Sequence, residues 1–192
     1  MLAGTVRVVA MVLVVGLGVL GTAFVVGELM ADPGGLQAVW LTTAWLLPML
    51  VLAALALWWP DLAAPLMPAL VAVAGVFLLV DATLHMVPRG VGPVPAVLVF
   101  ALAVPSGLLG WHRPRLAGFS LVALSVLTLV ANALVRHNAP FGTIFGGSSG
   151  VLVMPLLVIG ALLVLAWLLE RPAAQEEAPP SGRRHPVGTP RR

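Results

Sequence analysis

Six apolar runs, each about the length of one membrane crossing, leave this chain few ways to fold. They cover Arg7 to Val26, Val39 to Trp59, Ala63 to Leu84, Val94 to Trp111, Leu116 to Val135 and Gly150 to Leu169. A helix needs about 20 mainly apolar residues to cross the hydrocarbon core. An open strand cannot satisfy its backbone in lipid, so each run is read as a helix. The expected fold is all-α: a polytopic transmembrane helical bundle, six spans arranged as three helical hairpins, over residues 1–170. Residues 171–192 are rich in Pro, Glu and Arg, with little to bury, and are expected to form a disordered cytoplasmic tail.

Composition agrees. Hydrophobic residues make up 60% of the 192-residue chain and charged residues only 9%, against about a quarter in a soluble domain. There is no cysteine, which excludes disulfides, thiolate metal sites and cysteine nucleophiles. All 10 residues counted as Lys or Arg are arginine, so Schiff-base and P-loop lysine chemistry are also excluded. The Ala, Val, Gly, Pro and Arg bias is that of a high-GC bacterial genome.

The net charge of +3 reads as a topology signal rather than a nucleic-acid site. With six spans and the N-terminus inside, Arg7, Arg113, Arg115, Arg171, Arg183, Arg184, Arg191 and Arg192 are cytoplasmic, and only Arg89 and Arg136 fall outside. This predicts a plasma-membrane protein with both termini in the cytoplasm. Trp58, Trp59, Trp111 and Trp167 then lie near the inner interface and Trp40 near the outer one. Arg7, the first run and Gly21-Thr22-Ala23 also have the form of a signal peptide. The run is long for one, so a retained anchor is expected; cleavage would leave five spans in the same orientation.

The connections carry two patterns. His85-Met86-Val87-Pro88-Arg89-Gly90 and His137-Asn138-Ala139-Pro140-Phe141-Gly142 both fit H-x-x-P-x-G, and each returning run contains a proline: Pro48, Pro105 and Pro155. An inherited two-helix unit would explain both, with the prolines freeing carbonyls near a shared cavity. Asp61, after Trp59-Pro60, is expected to cap the third helix.

Ionisable residues inside spans are costly, so they mark where to look for function. Asp81 and His85 stand four apart near the outer end of the third run, and Asn132 and Arg136 four apart near the outer end of the fifth, with His137 beside them. Glu28 ends the first run. An outward-facing cluster of Glu28, Asp81, His85, Asn132, Arg136 and His137 is expected, with an Asp81–Arg136 pair offsetting mutual desolvation. Its chemistry admits several classes. In a transporter, Asp81 and Glu28 would exchange protons with His85 as relay. In a cofactor protein, His85 and His137 would ligate haem or a metal.

A membrane-plane enzyme has less behind it, because no nucleophile or zinc motif is present. The best expectation is a non-enzymatic accessory or assembly subunit without a cofactor. Small residues at Gly16, Gly18, Gly21, Gly107 and Gly110 would allow close packing within the bundle, with a membrane partner or with a second copy. Lipid is the expected surround and nucleic acid is not an expected partner.

Overall fold

The computed structural model describes residues 2–31, 35–86, 94–135 and 148–176, with the side chains of 28–29, 148–152 and 171–176 left out. The described residues form six α-helices and no strand: α1 Leu2–Ala31, α2 Gly35–Trp58, α3 Pro60–Leu84, α4 Val94–Leu109, α5 Pro114–Val135 and α6 Ser148–Glu176. All except α4 are long and apolar enough to cross a membrane. At 1.5 Å per residue, α5 alone reaches about 33 Å, enough for a hydrocarbon core of about 30 Å.

The 16-residue α4 reaches only about 24 Å, yet it traverses the bundle. Pro95 at its start shares a cavity with Asp81 and Val135. Just past its end, a Cβ on Gly110 would touch Leu163 of α6. The start of α1 and the end of α6 meet at the same end, through an Arg7–Glu170 ion pair. The chain therefore passes through the bundle six times, and its first and last helices share one end.

α4 is the axis of the fold. It packs against all five other helices, and nine of its residues are buried. Around it the ring runs α1, α6, α5, α3, α2 and back to α1. The ring is uneven: α5 and α6 are its closest pair, whereas α2 touches α1 and α3 lightly and leans on α4 instead.

Backbone approach explains the tight side. A Cβ on Gly118 would lie 2.9 Å from the Val164 nitrogen and 3.0 Å from the Gly160 carbonyl oxygen, so α5 and α6 cross there almost backbone to backbone. Along α1 and α4, Gly21 makes room for the Phe100 ring and Gly107 for Val14. Phe100 is buried at 1% exposure and meets Trp45 edge to face, 6.4 Å between centroids. One aromatic contact thus ties α2 to the axis where its ring neighbours do little.

Several expectations are corrected. The N-cap of α3 is Trp59, with Pro60 at the first helical position. Asp61 lies inside the first turn, where its carboxylate accepts a hydrogen bond from Arg113 at 2.6 Å. Pro48 is exposed, Pro105 buried and Pro155 half-buried. The hairpins occupy inequivalent places, since α4 is axial while α2 and α6 are peripheral. Most of both H-x-x-P-x-G segments lies outside the described residues. A Cβ on Gly16 would meet nothing within 4 Å, which leaves the expected packing against a partner untested there, and the described part of α6 runs to Glu176.

Candidate functional site: a cavity at the head of the central helix

A cavity of about 100 Å³ opens where α3, α4 and α5 meet. Asp81 and Ala82 contribute from α3, Pro95 and Val99 from α4, and Thr128 and Asn132 from α5. Asp81 and Asn132, singled out in the sequence, therefore line the same cavity. Both are half-buried.

The polar groups differ in how they are satisfied. The Thr128 hydroxyl donates to the Leu124 carbonyl at 2.7 Å, and that of Ser125, one turn deeper, donates to the Leu121 carbonyl at 2.8 Å. Their demand is met within α5. The Asn132 Nδ2 is shielded from solvent and has no hydrogen-bond partner among the described residues. A buried donor without a partner carries a desolvation cost of about 1–3 kcal/mol, and the cavity has room for water or a small polar ligand to relieve it.

His85 does not join them. It caps α3 in the left-handed region (φ 52°, ψ 46°), its N–H donating to the Asp81 carbonyl. Its ring is exposed and does not line the cavity. The four-residue spacing misleads because the helix ends at Leu84, so His85 no longer follows the face of Asp81. The backbone of Glu28 lies in α1, but its side chain is outside the described part, as are Arg136 and His137 entirely. The expected Asp81–Arg136 pair and His85–His137 ligation fall there too. Among the described residues no group of three or more His, Cys, Asp or Glu is placed to hold a metal ion.

Below the cavity the packing is mainly apolar. Val99, Leu121 and Leu124 are at most 1% exposed and close the space between α4 and α5. Ser106 is fully buried with its hydroxyl unpartnered, an isolated polar group on the axis rather than part of a line.

The opposite end carries a second polar layer that sequence reasoning assigned to topology alone. Arg7 of α1 pairs with Glu170 of α6 and donates to the Trp111 carbonyl. Arg113 pairs with Asp61. Arg115 stacks over the Trp167 ring, 5.1 Å from its centroid. Charge and helix order do contain a signal for the first pair: Arg7 is the one cation of the first helix, and Glu170 is the first charged residue met along the last one. Trp58, Trp59 and Trp111 are exposed at this end and Trp40 near the start of α2, as the interfacial belts require.

Comparison with family models, with curated proteins and with solved structures finds no match to this chain.

Proposed function

We propose that this is a non-enzymatic membrane subunit that presents a one-sided polar pocket, formed by Asp81 and Asn132, to a small polar ligand or to a partner's polar side chain. One observation carries the reading. A carboxylate and an unsatisfied amide face one small cavity, while the core beneath is apolar and the far end is tied by ion pairs. Such an arrangement suits binding from one face better than conduction. The arginine distribution supports placing the ion-paired end and both termini in the cytoplasm of a plasma membrane, with the pocket facing outward.

Transport is the second reading, favoured by the placement of Ser125, Thr128 and Asn132 at helical spacing on one face of α5, descending from the pocket. A conformational change would have to part the apolar side chains of Leu121 and Leu124 that pack around that face.

Two experiments separate these readings. Cross-linking in native membranes should capture a partner at a fixed ratio, and Asp81→Asn should weaken that capture while leaving the thermal unfolding midpoint in detergent near its original value. Asp81-dependent proton or solute flux in liposomes, with no partner captured, would replace the accessory reading with transport.

A further inference from the structure

The cavity between α3, α4 and α5 has a sign. Among the described residues, Asp81 is the one charged residue that lines it. Its carboxylate offers two oxygens with about four lone-pair sites, enough for more than one partner to share. The Thr128 hydroxyl donates its one proton to the Leu124 carbonyl, so toward any further group that oxygen acts only as an acceptor. Both side chains therefore answer to a group that donates or is positive.

The Asn132 amide can follow them. Its Nδ2 has no hydrogen-bond partner among the described residues, so half a turn about the last torsion brings Oδ1 to the same place and breaks no bond there. Asn132 stands four residues after Thr128 on one face of α5. The start of α4 meets the cavity at Pro95 and Ala96. A helix start favours Asp81 as the anion, and Pro95 has no N–H to aim into the space. A carboxylate, a hydroxyl and an amide oxygen form the ligand set of a hard cation. One negative charge balances a monovalent ion, whereas calcium sites gather several carboxylates. Thr128 is 5% exposed, so an ion that reaches its oxygen has shed much of its water.

We propose that this cavity binds a partly dehydrated monovalent cation of the sodium class, held by the Asp81 carboxylate, the Thr128 hydroxyl oxygen and the turned Asn132 amide. The inference rests on the pocket reading above and names its small ligand. The ion joins α3 to α5 across the cavity and gives the unpartnered amide a role. An anion would meet the Asp81 charge, and a neutral acceptor would leave the carboxylate and the hydroxyl oxygen unanswered.

The test is carboxyl modification of the full chain in nanodiscs by dicyclohexylcarbodiimide, an apolar reagent, read peptide by peptide by mass spectrometry. Glu170, paired with Arg7 at the opposite end, is the internal reference. Sodium chloride should slow modification of Asp81 severalfold against choline chloride at equal ionic strength, with saturation, and leave Glu170 unchanged. Thr128→Val should abolish the protection, and Thr128→Ser, which keeps the oxygen, should retain it. Equal rates in the two salts, or protection that survives Thr128→Val in a folded protein, would overturn the proposal. So would protection by methylammonium but not by sodium, which would assign the pocket to an N–H cation such as a partner's lysine side chain. A second readout does not need Asp81 to react: sodium should raise the thermal unfolding midpoint above its value in choline in the parent and not in Asp81→Asn, and equal midpoints for the parent in both salts would also count against the ion. The pocket reading fails separately. It stands if partner capture still depends on Asp81 while sodium has no effect, and it falls together with the ion if neither depends on Asp81.

Discussion

Single residues decide how closely these helices approach. Gly118 and Gly160 bring α5 and α6 together with no room for a side chain on the backbone of either. A Gly118→Val substitution should cost about 1–3 kcal/mol or more, because besides the Val164 side chain it meets main-chain atoms of Val164 and Gly160 that cannot rotate away. Gly16→Ala meets nothing within 4 Å and should stay within about 1 kcal/mol of the parent, on the stabilising side. Chemical unfolding in mixed micelles distinguishes them, and a comparable loss for both would contradict the crossing. The two ion pairs should differ as well. Arg7 and Glu170 are 25% and 40% exposed, whereas Arg113 and Asp61 are 51% and 84% exposed. A double-mutant cycle on Arg7→Gln and Glu170→Gln should give coupling on the order of 1 kcal/mol, and the Arg113–Asp61 cycle a value near the bottom of the ~0–1 kcal/mol range of exposed pairs. Equal couplings would mean that burial does not rank them.

At the scale of elements, α4 departs most from a simple span. Its sequence reads as one more apolar run. Its position at the axis follows from contacts with five partners, which no pattern within residues 94–109 encodes. Phe100 tests that position. Its ring fills the space left by Gly21 and meets Trp45, so it joins α1 and α2 to α4. Phe100→Ala should therefore cost about 3–5 kcal/mol and loosen α2 in particular, seen as faster amide exchange in α2 than in α5. Exchange rising equally in both helices would show that Phe100 is not the specific anchor of α2. The candidate site belongs to this scale too. Asp81 and Asn132 were legible as polar residues in apolar runs, and their meeting was legible as similar depth on two parallel helices. The cavity between them was not, because it also needs the first turns of α4 packed beside both helices.

For the molecule as a whole, the six helices predict an even number of passages. The start of α1 and the end of α6 share an end, and His85 and Met86 follow α3 at the other. With no native cysteine to confuse the assay, Met86→Cys should react with a membrane-impermeant reagent added to intact cells. His112→Cys, exposed between α4 and α5, should react only after the membrane is opened. Labelling of both from the same side would refute α4 as a full passage, and the opposite pattern would invert the orientation drawn from the arginines.

Apolar run length and charge placement determined the secondary structure, the number of helices and the need for a lipid surround. Each is a local or additive property: hydrocarbon forces backbone hydrogen bonds inward, and the cost of a charge in it scales with depth. Tertiary structure alone decided that α4 is central, that α1 closes on α6, that Arg7 meets Glu170 and that Asp81 and Asn132 share a cavity. In lipid, helices gain little from hiding apolar surface, so their partners are chosen by close fit between small residues and rings. That fit depends on two helices at once, as Gly21 with Phe100 and Gly118 with Gly160 show.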